Sequence, residues 1–333
     1  MTIRVGILGL GMMGKFHHDT YAKVKGARVE AICEVDPKKR QGIIGHGFGE
    51  INVSKLRVYS QAEALFADPA LDMIDVCLPT YLHAKYTVAA LKAGKHVVCE
   101  KPMARTSAEA KTMIEAAKKS GKQLFVAQCI RFWPSYAKAR ELVMSGKYGK
   151  VLTARFCRMS GLPAWSWENW LHDPAKSGRA ALDLHIHDVD FVQYLFGKPK
   201  SVLSCAGGLK KGCLDHIITS YEFGKDQLVS AEGAWEYASA YPFAMTFSIC
   251  MEEATLDMTR DTKLYLYPLR GKAAEVKVPA GDGYFHELSH FVQCVRSNRG
   301  SDVVSPESAM NSVKILEAEV ESARLSKPVS VRC

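Results

Sequence analysis

The sequence predicts an α/β protein: a doubly wound parallel sheet at the N-terminus, followed by an α+β domain built on a large, mostly antiparallel open sheet. Three observations predict it. Short apolar runs alternate with helical segments over residues 1–127, as strands covered on both faces by helices do. The stretch GLGMMG, residues 9–14, stands between the first apolar run and the first helical segment. From about residue 150 the pattern changes to successive strands with partial apolar/polar alternation and short Gly, Lys or Asp turns, which suits a sheet with one exposed face.

IRVGILGL is the first strand and MGKFHHDTYAKV the first helix. ARVEAICEVD is a strand, QAEALFAD a helix, MIDVCLPT a strand, and HAKYTVAALKAG a helix ending on Gly94. HVVCEKP follows as a strand; SAEAKTMIEAAKKSG is a helix capped by Ser107 and closed by Gly121; QLFVAQ is the last strand of this half. The domains are therefore expected at 1–127 and 128–333. In the second half, VLTARFCRM, SVLSCAGG, DHIITSYEF, QLVSAEGAWEY, AMTFSICMEEATLDM, KLYLYPL and AEVKV are strands. Helices are expected at 139–146, 182–197, 285–298 and 305–326.

The chain has 333 residues, enough for two cores, with 47% hydrophobic and 24% charged residues, the balance of a water-soluble globular protein. The net charge is +9, but the basic residues are scattered. The densest cluster, DPKKR at 36–40, is short, so a solvated surface is expected and not a nucleic-acid interface. No apolar run reaches the roughly 18 residues of a spanning helix, so no membrane partner is expected. Ten cysteines at irregular spacing, with no C-x-x-C pair, and an N-terminus that reads as a strand point to free thiols in a reducing cytoplasm.

GLGMMG is G-x-G-x-x-G in strand-to-helix context, where it marks a dinucleotide site. Gly9 allows the tight turn, Gly11 lets the backbone approach a pyrophosphate, and Gly14 lets helix and strand pack closely. Met12 and Met13 open the helix whose amide dipoles face that anion. An acid at the end of the second strand, about 20 residues on, accepts from ribose hydroxyls and repels a 2′-phosphate. Glu34 is the first candidate and Asp36 the second, so NAD is the expected cofactor. NADP stays open because Lys38, Lys39 and Arg40 stand close by.

With these motifs the chain resembles the Gfo/Idh/MocA family of oxidoreductases, the group containing glucose-fructose oxidoreductase and inositol dehydrogenase. The resemblance covers essentially the whole chain. It rests on GLGMMG, on DVCLPTYLHAKYTVAALKAGKHVVCEKP (75–102) leading to an E-K-P motif, on LDLHIHDVD (182–190), similar to a D-x-x-x-H element, and on GYFHELSHFVQCVRSN (283–298). It implies a Rossmann domain, a mixed-sheet substrate domain, a nicotinamide cofactor and a homodimer or homotetramer built through the open sheet. It also implies Lys101, Asp183 and His187 as the catalytic set. The chain departs from the family's pattern at KSGRAALD, with Ser177 and Arg179 where glycines are common, at QCIRFWP (128–134), and at His185, where glycine is frequent. These departures bear on the substrate.

The residue chemistry agrees. Asp183 and His187 are four apart on an expected helix and so share a face. A carboxylate beside an imidazole orients it, and histidine suits removal of a hydroxyl proton near neutrality. An ammonium at Lys101, at a strand's carboxyl end, stabilises developing alkoxide charge. His187 is the expected base, with Lys101 the alternative. Pro79, Thr80, His83 and Glu100 are expected around the cofactor. Trp165 and Trp167 are expected on the substrate side, with Trp170 a further candidate, because the aromatic, Asn-bearing stretch PAWSWENW suits sugar stacking; Arg131 and His185 are expected there too, with His286 a further candidate, and Tyr284 by its resemblance to the family's late tyrosine. HIHD (185–188) is not read as a metal site, since residues two apart on a helix diverge. His17 and His18 are expected on a helix face without a catalytic role.

The expected activity is hydride transfer between nicotinamide and a secondary hydroxyl of a cyclic polyol, sugar or sugar derivative, inositol-like or pyranoside. Redox-assisted glycoside cleavage with retained NAD, or a non-catalytic NAD sensor, are the alternatives.

Overall fold

The structure, a computed structural model, describes residues 2–208, 213–224 and 226–331. In chain order its elements are β1 (Ile3–Leu8), α1 (Met12–Tyr21), β2 (Ala27–Cys33), α2 (Pro37–Arg40), β3 (Arg57–Tyr59), α3 (Ala62–Ala67), β4 (Met73–Val76), α4 (Thr80–Lys92), β5 (His96–Glu100), α5 (Ser107–Ser120) and β6 (Leu124–Ala127). Then come α6 (Pro134–Met144), β7 (Val151–Gly161), α7 (Pro174–Ser177), α8 (Arg179–Asp183), α9 (Ile186–Phe196), β8 (Ser201–Gly207), β9 (His216–Glu222) and β10 (Leu228–Tyr237). β11 (Ala244–Met251), β12 (Ala254–Met258), β13 (Leu264–Pro268), β14 (Ala274–Glu275), α10 (Gly283–Arg296), α11 (Pro306–Leu325) and β15 (Val329–Ser330) complete the chain.

Two compact units result. The first comprises Met1–Cys129, Trp165–Trp170 and Asp282–Met310; the second comprises Ile130–Ala164, Leu171–Gly281 and Asn311–Cys333. The first break falls two residues after the expected boundary. A single cut does not describe the chain, however, because α10 returns to the first core. Phe291 on α10 stacks on Phe125 of β6 at 4.8 Å between ring centroids, and burying that apolar face decides which unit the helix joins.

The first unit carries a six-stranded sheet in the order β3-β2-β1-β4-β5-β6, with every pair parallel. Val5, Ile7, Ile32, Ile74, Val97, Val98 and Phe125 are fully buried, the reason these strands read as unbroken apolar runs. The order reverses between β1 and β4, which places a ligand crevice beyond the carboxyl ends of those strands. Thr106, not Ser107, caps α5, its hydroxyl accepting from Glu109 N at 3.2 Å. The Glu109 side chain reaches back past the cap to accept from Arg105 N at 3.0 Å.

The second unit carries a nine-stranded sheet in the order β14-β13-β12-β11-β7-β10-β9-β8-β15. Only the β7–β10 pairing is parallel. Tyr136, Phe156, Phe191 and Phe247 interlock on its covered face. The expected strand AEVKV shrinks to the two exposed residues of β14 at the sheet's edge.

Candidate active site

β1 ends at Leu8, and the chain turns through Gly9, whose φ of +93° lies in the left-handed region. A Cβ there would stand 2.7 Å from Cys77 O, and a Cβ on Gly14 would stand 2.0 Å from Gly9 O. Both positions therefore admit only glycine. A Cβ on Gly11 meets nothing within 4 Å, so the loop has an open concavity on that side. Gly11 is also the N-cap of α1 and supplies no side-chain bond to the amides of the first turn, where Met12 and Met13 lie. An open glycine face plus uncapped helix amides fits a pyrophosphate.

Glu34, just past β2, closes the loop. Its Oε2 accepts from Leu10 N at 2.7 Å, and its Oε1 accepts from Val35 N at 2.7 Å and Asp36 N at 3.1 Å. This carboxylate sits at the glycine loop, and Oε2, with one bond accepted, keeps a lone pair for a ribose hydroxyl. Asp36 instead caps α2 through Lys38 N at 2.8 Å, which separates the two candidates. The Arg40 guanidinium donates to Glu34 O at 2.9 Å and Val35 O at 2.7 Å. That cation beside the ribose acceptor is the local feature that keeps a 2′-phosphate compatible.

β5 delivers Glu100 and then Lys101, which is half-buried. Glu100 Oε2 accepts the Lys101 backbone N–H at 2.9 Å. On the other flank, the Lys101–Pro102 peptide is cis, and Pro102 O lies 2.7 Å from His83 Nδ1. The other His83 nitrogen lies 2.7 Å from Leu78 O. Burial is the largest influence on this ring and lowers its pKa. His83 thus braces the turn after β4 against the turn after β5. Pro79 and Thr80 head α4 directly after β4, at the strand ends where the cofactor crevice is expected.

Behind Glu100 lies a group the sequence reading missed. His17 of α1 is fully buried. Its Nδ1 lies 2.8 Å from Asp75 of β4, its Nε2 lies 3.1 Å from Glu100 Oε1, and Cys77 Sγ lies 3.5 Å from Nδ1. Burial alone would lower its pKa, but the Asp75 charge, Cys77 and the Asp75 hydrogen bond outweigh that and hold it well above the ordinary 6.5. Burial and Asp75 push the Cys77 thiol far up. The group therefore carries an imidazolium among carboxylates and a protonated thiol. A carboxylate inside the apolar run MIDVCL was the available signal, since such a charge requires a buried partner.

Tyr284 of α10 lies in the same unit, its ring 6.2 Å from that of His17 and stacked on Phe16 at 6.3 Å. Burial, then the neighbouring Cys129, Glu100 and Glu287, raise its phenol well above 10. Phe48 continues the aromatic row from Phe16 to Trp165, at 6.5 and 6.1 Å. Trp165 is 36% exposed, and Trp167 is half-buried in a turn whose Glu168 and Asn169 are left-handed. Tyr284, Trp165 and Trp167 were expected in the second domain and belong to the first unit.

In the second unit the expected helix over 182–197 is interrupted. α8 ends at Asp183 and α9 begins at Ile186, with His185 N donating five residues back to Ala180 O at 2.8 Å. That wide turn breaks the simple four-residue face relation. Over 180–192, Asp183 and His187 are the two residues that are not buried.

His185 is wholly enclosed, its Nε2 3.1 Å from Glu319 and its Cβ against the Gly233 backbone. Arg131 forks onto Asp190 with both contacts at 2.7 Å. Arg131 is thus held in a core ion pair and His185 in a fully buried contact with a carboxyl group, because buried polar groups need internal partners. Asp188 is likewise forked by Arg158, at 2.9 and 3.1 Å, so the HIHD donors diverge. Arg179 stands at φ +60°, a glycine conformation. Its guanidinium is held by Asp215 at 2.8 and 2.6 Å, a bidentate pair that offsets the strain.

The family and the fold are matched among known proteins. The model of an oxidoreductase family with an NAD-binding Rossmann fold matches residues 3–128, and that of the GFO/IDH/MocA C-terminal domain matches residues 136–257. Myo-inositol 2-dehydrogenase of Thermotoga maritima is 26% identical over 307 residues, covering 89% of each chain. The scyllo-inositol 2-dehydrogenase (NAD(+)) of Bacillus subtilis is 26% identical, covering 99% of this chain and 96% of its own. Levoglucosan dehydrogenase in complex with NADH and levoglucosan has the same fold, with a TM-score of 0.87 at 24% identity over 100% of both chains. The described residues contain no helix long and apolar enough to cross a membrane. Matched in both halves, the chain belongs to the Gfo/Idh/MocA family of oxidoreductases, and its first unit is the NAD-binding Rossmann fold of that family.

Proposed function

We propose that this protein transfers hydride between NAD and the secondary hydroxyl-bearing carbon of a cyclic polyol, sugar or sugar derivative, of inositol or pyranoside type. The observation that carries the reading is Lys101, fixed on both backbone flanks at the carboxyl end of β5 in the unit that bears the glycine loop. The inositol dehydrogenases among its relatives support the substrate class. Bound NAD supplies the hydride acceptor. Gly9, Gly11 and Gly14 with the first amides of α1 hold the pyrophosphate, and Glu34 accepts from the ribose. The Lys101 ammonium stabilises negative charge on the reacting oxygen. His187 takes the hydroxyl proton on its imidazole, and Asp183 orients that ring. Arg131 and His185 have no part in substrate contact; Tyr284, Trp165 and Trp167 remain its candidates. Self-association uses the outer face of the nine-stranded sheet, where Leu203, Ile218 and Leu228 are exposed. The irregular cysteines suit a cytoplasmic setting.

The test is reduction of NAD, and separately NADP, against a panel of inositols, pyranoses and glycosides. Accumulation of NADH with a cyclic polyol or sugar is the expected result. Glycoside cleavage without net NADH would replace this reading with redox-assisted cleavage, and NAD binding without turnover of any panel member would leave a sensor.

A further inference from the structure

We infer that Asp75, His17 and Glu100 form a buried positioning chain that sets the backbone of Lys101. The inference rests on the catalytic reading of Lys101 given above.

The chain runs through three elements. Asp75 lies in β4, fully buried, where no solvent can share its charge. Its Oδ2 is 2.8 Å from His17 Nδ1 on α1. His17 Nε2 is 3.1 Å from Glu100 Oε1 at the end of β5. The second Glu100 oxygen, Oε2, accepts the Lys101 N–H at 2.9 Å. The first two steps join groups far apart in sequence and the last joins neighbours, so Glu100, and through it the backbone of Lys101, is referred to α1 and β4 and not only to its own loop. Both ring nitrogens face carboxyl oxygens, Nδ1 in a hydrogen bond to Asp75 and Nε2 in a close contact with Glu100. Cys77 lies against the same imidazole, and Tyr284 with Glu287 flanks Glu100 from α10.

The chemistry explains why a charge chain is useful there. A lysine stem is long and has about 2 kcal/mol of rotamer entropy, so the backbone at Lys101 is the part the fold can fix. A misplacement of about 1 Å at a reacting group can cost about 100-fold in rate. A neutral amide at Glu100 retains an acceptor for Lys101 N–H but cannot pair with the imidazolium. It therefore loosens the carboxyl group without emptying its space.

The experiment uses the full chain and the variants His17→Gln, Glu100→Gln, the double variant and Lys101→Met. It reads turnover of myo-inositol and of levoglucosan with NAD, NADH affinity by fluorescence, and amide hydrogen exchange in the peptide covering 99–105. His17→Gln and Glu100→Gln are each expected to lower kcat by about 10- to 100-fold, with NADH affinity within about threefold and exchange in that peptide faster by about tenfold. The double variant is expected to be no slower than the slower single, as members of one chain behave non-additively. Unchanged exchange in 99–105, or kcat within about twofold of the parent, overturns the inference; so do losses that multiply in the double variant. Glu100→Gln carries the test if His17→Gln does not fold. If exchange rises as expected while Lys101→Met keeps full turnover, the positioning chain stands and the catalytic role of Lys101 is what fails.

Discussion

Lys101→Met is expected to give a folded, NAD-binding protein whose turnover is slower by about 100- to 1,000-fold. That factor is the usual loss when one preorganised stabiliser of oxyanion charge is removed, about 2.7–4 kcal/mol. Methionine retains most of the stem and removes only the charge. Lys101 is half-buried, and the groups that fix its backbone, Glu100 and His83, are untouched, so the melting temperature is expected to stay within a few degrees. Steady-state kinetics with NADH titration separate the two effects. A variant that loses cofactor affinity in proportion to its rate would place Lys101 in binding and not in the chemical step.

The second large effect is expected at the glycine loop, where Gly14→Ala and Gly11→Ala should part company. The added carbon of Gly14→Ala would sit 2.0 Å from Gly9 O, and backbone cannot yield as a side-chain tip can. The helix must move off the strand, at a stability cost of about 1–3 kcal/mol by analogy with overpacked cores. The displaced amides no longer converge. Losing two hydrogen bonds to a charged group, at about 1.5–3 kcal/mol each, weakens NAD by about 100-fold or more. Gly11→Ala meets nothing in the protein. It should melt like the parent and lose only affinity. Equal melting curves for both variants, or unchanged NAD affinity for Gly11→Ala, would show that the dinucleotide does not approach this loop.

The elements of the first unit were legible because its strands are buried on both faces and punctuated by glycine, so local pattern and tertiary position agree. GLGMMG needed only its strand-to-helix context. Lys101 needed the E-K-P resemblance, since a lysine after an apolar strand reads equally well as a surface group. The return of α10 to the first core was not legible, because an amphipathic helix does not say which core it covers. His185 and Arg131 misled for a related reason: an ionisable side chain near a motif suggests a ligand, yet its partners Glu319 and Asp190 lie 134 and 59 residues away in sequence. His17 was hidden by the same distance, with Asp75 and Glu100 on two other elements. The break between α8 and α9 leaves no proline or glycine signature in LDLHIHDVD; it is set by packing.

The central claim is that hydride moves directly between a ring carbon and nicotinamide on this protein. It is tested most directly with a ring-deuterated inositol or pyranose from the active panel and unlabelled NAD, followed by mass measurement of the reduced cofactor. NADH carrying the deuteron in a single stereochemical position is expected, with Lys101→Met forming about 100- to 1,000-fold less of it in the same time. Unlabelled NADH, or oxidised sugar with the deuteron in water, would contradict it.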